Sequence, residues 1–352
     1  MKKHFLFLKV SILLLMFTTT CNKPLTLSKS TGMPYEIAVT MNKEIWEGEA
    51  GIAIRADLES EVPGLPQSEP SFRIMYATAE NFNTLLTYVR NILIVKVDNK
   101  MYTTVNLLYE ANRWAKDQAV VTLNAPDTQS VANYLNSHTN ELTRFFTKIE
   151  KNRAIAALET DYSLSVSDTL KKKLDVLMNI PSEMIFTGRQ RGKDFFWASN
   201  NARSGRVDVI VYSFPYTDSQ TFTADYLIAK RDSVLKMNMP GAFPDSYMAT
   251  ETLATVDYSA ITVRNKYCGV LRGLWKMVGD MMGGPFVSHV RLDEENNRIV
   301  VAEGFVYAPE TNKRNYIRRI EAALYTLRLP GEFDQPAAEP LKINIKANQT
   351  IE

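Results

Sequence analysis

The sequence predicts an α+β fold, with antiparallel or mixed sheets and helices packed mainly on one face. Two observations carry this expectation. Segments of strand length come in consecutive pairs, in the order β-α-β-β-α-β-α and then β-β-β-α-β-β-β-β-α, rather than in strict strand–helix alternation. A chain of 352 residues also exceeds what one hydrophobic core ordinarily serves, and a helical or linking stretch over 151–177 divides it into two parts, 33–160 and 161–330. Each part carries a long helix after paired strands, as two related α/β units would, although no fixed-period repeat requires that origin.

The first 20 residues stand apart from the fold. Lys2, Lys3, His4 and Lys9 make a basic start, an apolar run follows over 10–17, and Thr18, Thr19 and Thr20 lead to Cys21. The run is too short for a spanning helix of about 20 apolar residues, so 1–20 reads as a secretory signal peptide. Cys21 resembles the lipidation box of bacterial lipoproteins, although Thr18 replaces the usual leucine and Thr20 the usual smaller residue. Residues 21–32 then form a polar, lipid-anchored tether; an ordinary signal-peptidase cut nearby is the alternative. With Cys21 lipidated, Cys268 is the remaining thiol of two and no internal disulfide forms. Beside Val270 and Leu271 it reads as a small buried hydrophobe. Loss of Lys2, Lys3 and Lys9 takes the 41 basic residues to 38 against 39 acidic ones, so a formal charge of +2 becomes −1. That balance offers no general footprint for nucleic acid.

Along the first part, 35–41 is strand-like and 46–61 holds a short helix with Trp46, Ile54 and Leu58 among its apolar positions. PGLPQSEP (63–70) is a proline-pinned connection into a strand at 72–76, with a ligand loop as the alternative. A brief helix at 82–88, a strand at 91–97, a helix or irregular crossing at 102–114 and a strand at 119–123 follow. Asp127 caps one long helix to about residue 150, with Val131, Leu135, Leu142, Phe145, Phe146 and Ile149 on its buried side. The second part opens with a strand at 184–187 and the turn GRQRGK, which gathers Arg189, Arg191 and Lys193. That turn lacks the Lys-Ser/Thr ending of a phosphate loop and reads as a charged hairpin turn, an anion contact being the alternative. Strands at 195–199, 207–214, 250–256 and 260–267 surround a helix at 221–237 that Met239-Pro240-Gly241 ends. From Gly331 the chain reads as a loosely ordered polar tail, 331–352.

The densest pattern lies in 271–329, where GDMMGGPF, a hairpin ending in EGFVYAP and a helix over 313–327 succeed one another. Ile317, Ile320, Leu324 and Leu327 form that helix's buried stripe, and Lys313, Arg314, Arg318 and Arg319 lie mostly off it, on a face read as solvated. Pairing Leu292 with Arg298 puts His289, Arg291, Glu303 and Tyr307 on one face of the hairpin. Glu303 is a carboxylate among branched and aromatic neighbours and needs a partner. Two readings follow: a structural ion pair or a strand end emerging into solvent, or a site in which Glu303 and His289, with Asp280 from the glycine turn, act as a hydrolase, His289 being the general base. Arg291, Trp275 and Tyr307 are the candidate ligand-binding residues. No HExxH, close cysteine pair, GxSxG, calcium loop or dinucleotide fingerprint is present, so the sequence names neither a metal site nor a cofactor.

GDMMGGPFVSHVRLD, EGFVYAP and KRNYIRRIEAALYTLRL, together with Trp46, VPGLPQSEPSF and RNILIV, resemble an uncharacterised family of Bacteroidota lipoproteins with a domain of unknown function (DUF4837-like). The resemblance runs from about residue 32 to 329. It implies a lipidated protein of the bacterial cell envelope, periplasmic or associated with the outer membrane and held to the membrane through its N-terminal lipid. It brings no activity and no catalytic residue. The leading expectation is a binding or structural protein for an envelope partner or small ligand, with a recognition surface near Trp275 and Tyr307 or beside the 63–70 loop.

Overall fold

The computed structural model describes residues 27–188, 192–343 and 350–351, and in it the chain folds around two sheets. The signal peptide, Cys21, Arg189 and Arg191 lie outside the described residues.

The first sheet contains β1 (Glu36–Thr40), β2 (Arg73–Ala77), β3 (Asn91–Val97), β4 (Asn106–Ala111), β5 (Ala119–Ala125) and a last short strand, β14 (Thr350–Ile351), in the order β14-β4-β5-β3-β1-β2. Its centre is parallel and its β4 edge antiparallel. Every residue of β1 and β5 is buried, as parallel strands covered on both faces require. Helices α1 (Lys43–Glu47) and α2 (Glu49–Leu58) connect β1 to β2, and α3 (Thr84–Thr87) precedes β3. After β5 come α4 (Thr128–Ser137) and α5 (Glu141–Ala157). Ile54, Leu58, Leu135, Leu142 and Phe146 from these helices pack on Ile37, Val39, Leu93 and Val121. Two expectations fail here. The stretch 102–114 forms β4, because its Leu107 and Tyr109 alternate inward against β5. The long helix after Asp127 breaks at His138–Asn140, where Asn140 takes a left-handed φ of 59°.

The second sheet is antiparallel throughout. It contains β6 (Ile185–Phe186), β7 (Phe195–Ser199), β8 (Arg206–Pro215), β9 (Tyr247–Thr250), β10 (Asp257–Val263), β11 (Lys266–Val278), β12 (Gly283–Asp293) and β13 (Arg298–Tyr307). Their order is β10-β11-β12-β13-β8-β7-β6, with β9 also pairing with β11. The buried runs of β12 and β13 occupy its centre. Helices α6 (Leu164–Leu174) and α8 (Arg314–Leu324) cover one face, and α7 (Ala224–Asn238) covers the other through Leu227 and Leu235. The class is α+β, as expected; in this sheet, however, the helices lie on both faces. Gly304 lets α8 sit close, since a Cβ there would meet Ile320 Cγ2 at 2.6 Å.

The hairpin register corrects the expected one. Asp293, not Leu292, opposes Arg298, because Asp293 accepts from Arg298 Nε at 2.8 Å and from Asn296 Nδ2 at 2.9 Å, shortening the loop by one residue. A slip of one residue sends every side chain of one strand to the other face. Glu303 therefore pairs with Ser288, while His289 pairs with Ala302 on the opposite side.

The two sheets are joined by polar contacts. Glu69 of the proline-pinned loop accepts from the backbone N of Lys313 at 2.6 Å and of Arg314 at 3.0 Å, capping α8 from the other part of the chain. The loop is thus a connection that docks on a helix end. Arg318 donates to Ser71 O at 2.9 Å and lies over the Tyr35 ring, so the α8 cations are partly interfacial rather than solvated. Residues 331–343 also depart from a loose tail. Arg264 holds the carbonyls of Pro336 and Ala337 at 2.9 Å each, and Asn152 exchanges two hydrogen bonds with the backbone of Leu341.

Candidate functional site

The residues singled out in the sequence do not converge. Glu303 faces α7 and is fully buried; it accepts from Arg231 Nε at 2.9 Å, Arg231 Nη2 at 2.7 Å and Ser288 Oγ at 2.6 Å. Arg231 donates its remaining contact to Thr250 Oγ1 at 2.9 Å and stacks over Phe286. This is the structural ion pair of the first reading, sealed on every side. His289 lies on the other face, buried, with neither ring nitrogen hydrogen-bonded among the described residues and its ring edge-on to Tyr325 at 4.6 Å. Burial holds it neutral, drawing its pKa down to about 3. Asp280 stays in the glycine turn and accepts from the backbone N of Met281 at 2.6 Å. Arg291 is buried in a salt bridge with Glu332 and donates to Leu327 O at 3.2 Å. Burial pushes the Cys268 thiol up to about 12, as its reading as a packed hydrophobe requires.

What the fold does build is a cleft of about 780 Å³ between the two sheets. One wall is α5, which presents Arg144, Thr147, Lys148 and Lys151 at helical spacing. The opposite wall is the β10–β11 hairpin turn, whose Arg264 and Asn265 both take positive φ, as a two-residue hairpin loop demands. Ser71, Arg318 and Tyr325 form another side, and the tail residues 339–343 cross the remaining one. Phe145, Ile261, Val263, Leu341 and Ile343 supply apolar lining.

The cleft's electrostatics follow from a buried cluster beneath it. Glu321 of α8 receives Arg272 Nη2 at 2.6 Å, Arg272 Nη1 at 3.1 Å and Lys151 Nζ at 2.7 Å. Burial opposes its charge, but Arg272 and Lys151 outweigh burial and hold the carboxyl well below the usual range. One carboxylate thus faces three cations, Lys151, Arg272 and Arg318, and the surplus charge is positive. Burial draws the Lys151 ammonium below its usual pKa, against the pull of Glu321 and aided by Arg272 and Arg318. Around the rim, Arg144, Lys148, Arg264 and Lys342 outnumber Glu61, Glu141 and Glu339. Among the described residues, no group of three or more His, Cys, Asp or Glu is placed to hold a metal ion.

A second, smaller cavity of about 330 Å³ lies on the α7 face. Trp275 and Tyr307, both candidates from the sequence, line it together with Trp197, Phe305 and four methionines, Met239, Met248, Met277 and Met282. The cationic stripe on α5 escaped the sequence reading, although Arg144, Lys148 and Lys151 recur at i, i+4 and i+7. That spacing was the available signal.

Residues 163–326 match the Domain of unknown function (DUF4837), so such a domain is present in the second part of the chain, and residues 30–159 match the Domain of unknown function (DUF8532). No curated protein matches the sequence. Among solved structures, the 1.9 Å crystal structure of the Saccharomyces cerevisiae Ran-binding protein Mog1p is similar at 12% identity, covering 44% of this chain and 89% of that one. The TM-score of that match is 0.29.

Proposed function

We propose that this chain is a lipid-anchored binding protein of the bacterial cell envelope, and that its ligand is an anion with an apolar body held in the cleft between the sheets. The observation that supports the binding half is the cationic surplus around a cleft large enough for a small ligand. Among the described residues Lys148 and Lys342 line that cleft with no partner, and Lys151 is held at its base by Glu321, its side chain 14% exposed. A ligand carboxylate or phosphate would gain charge-assisted hydrogen bonds there, while Phe145, Val263 and Leu341 contact its body.

The envelope half rests on the secretory-type start, on Cys21 at its end and on the resemblance to Bacteroidota lipoproteins. Mass measurement of membrane-extracted protein beside a Cys21→Ser form tests it: a diacylglyceryl adduct on the first only is expected, and an unmodified native protein refutes the anchor. For the cleft, dodecanoate is titrated calorimetrically into the native form and into Arg144→Glu/Lys148→Glu. Saturable binding that falls at least about tenfold on charge reversal is expected; binding that is absent, or indifferent to the reversal, removes the reading. A hydrolytic site at Glu303, His289 and Asp280 is not proposed, because the three side chains face different ways.

A further inference from the structure

The two motifs that dominate the sequence, GDMMGGPF and EGFVYAP, have no part in the cleft. Both converge instead on the 330 Å³ cavity. The first supplies Met282 to its rim, and the second supplies Phe305 and Tyr307. Gly284 has a specific task there. A Cβ at that position would fall on Val306 O and within 3.2 Å of Trp275 Nε1, so glycine allows the Trp275 indole to lie against the strand and donate to Val306 O at 3.2 Å. Trp275 in turn meets Phe305 at 5.6 Å and Tyr307 at 6.2 Å between ring centres, fixing one aromatic wall. The other walls are methionines, whose unbranched side chains adjust to varied occupants.

The polar side of the cavity presents hydrogen-bond donors from Arg206 and Asn201. Asp208, fully buried, accepts from Trp197 Nε1 at 2.8 Å and from Arg206 Nε and Nη2 at 2.9 Å each, so both its oxygens are used. Among the described residues, these contacts leave Arg206 Nη1 without a partner, and the Asn201 carboxamide at the mouth has none either. The Arg206 charge is matched by Asp208, so this wall can donate hydrogen bonds but carries no net charge, unlike the cleft.

We propose that this cavity is a second, independent binding site, for a small uncharged apolar molecule that carries one hydrogen-bond-accepting oxygen, such as a carbonyl. The ring-and-methionine walls take its body, and Arg206 Nη1 with Asn201 takes its oxygen. The volume sits at the lower end of ordinary ligand pockets, which restricts the occupant to a small one.

The test uses the full chain carrying Cys21→Ser, which dispenses with detergent, and the fluorescent ketone 6-propionyl-2-(dimethylamino)naphthalene as the bound molecule. Saturable binding of one equivalent is expected, with energy transfer from tryptophan. 6-Propyl-2-(dimethylamino)naphthalene, the same molecule with a methylene in place of the carbonyl, binds at least about fivefold more weakly, the worth of one hydrogen bond. Ala242 is exposed at the cavity's mouth, so Ala242→Trp closes the site without disturbing the core and reduces affinity for the ketone at least tenfold. Asn201→Ala weakens the ketone by about threefold and leaves the ketone-free analogue unchanged. Arg144→Glu/Lys148→Glu leaves both within twofold. Unaltered binding in Ala242→Trp, or binding abolished by the cleft reversal, overturns the site; equal affinity for the two compounds overturns the accepting oxygen.

Discussion

Replacing Glu303 by leucine isolates a fully enclosed charge. Arg231 and Glu303 are 1% and 0% exposed in their side chains and joined by two hydrogen bonds. Removing one member of such a pair costs on the order of 3–5 kcal/mol, because the other remains buried and uncompensated. Arg231 would keep Thr250 Oγ1 and the partly exposed Asp232 at 3.6 Å, which places Glu303→Leu near the lower end, about 3 kcal/mol. For a chain of this size that corresponds to a fall in Tm of about 5 °C. Replacing the whole group, Arg231→Met/Glu303→Leu/Ser288→Ala, removes the charges and the orphaned hydroxyl together and is expected within about 1 kcal/mol of the native protein. Urea unfolding followed by tryptophan fluorescence measures all three proteins. If Glu303→Leu costs less than about 1 kcal/mol, or the combined variant is no better than the single one, the pair is not the closed structural unit described here.

Two further outcomes follow from the buried polar groups. His289 has a folded pKa of about 3 against an ordinary 6.5, so the unfolded chain takes up a proton that the folded one refuses, and stability falls as pH drops from 6.5 towards 3. At pH 5 the loss is about 2 kcal/mol; Glu321, Arg272, Lys151 and Arg291 act on the ring. His289→Leu should remove that component, and urea curves at pH 7 and pH 5 with the same acid sensitivity in both proteins would contradict it. Glu69→Ala deprives α8 of a cap that accepts two backbone N–H groups, at an expected cost of about 1–2 kcal/mol. Glu69→Gln retains an accepting oxygen and should recover part of the loss; a midpoint unchanged by either substitution would show the cap to be idle.

The fold class was legible because its strands announce themselves. Residues 298–307 alternate so little between polar and apolar that only a central strand accommodates them, and the α8 stripe is regular. Leu107 and Tyr109 were less readable, since NLLYEA suits a helix or a strand until β5 is beside it. Glu303 could be identified as needing a partner, but Arg231 lies 72 residues away on a helix of little amphipathic character, and local spacing cannot point to it. The hairpin register turned on Asp293 bonding across the turn, a matter of one residue in loop length that reversed the direction of Glu303. The docked tail was hidden because Arg264 grips backbone carbonyls, which every residue possesses.

Glu69 lies before residue 159 and the helix it caps begins at Arg314, so the boundary between the two family matches falls inside one mechanical unit. A gene split there would encode a second half whose last helix starts with bare amides, and a first half whose buried carboxylate has lost its purpose. A recombined half lacking the matching acid would leave that helix start uncapped, a handicap of the same size as Glu69→Ala.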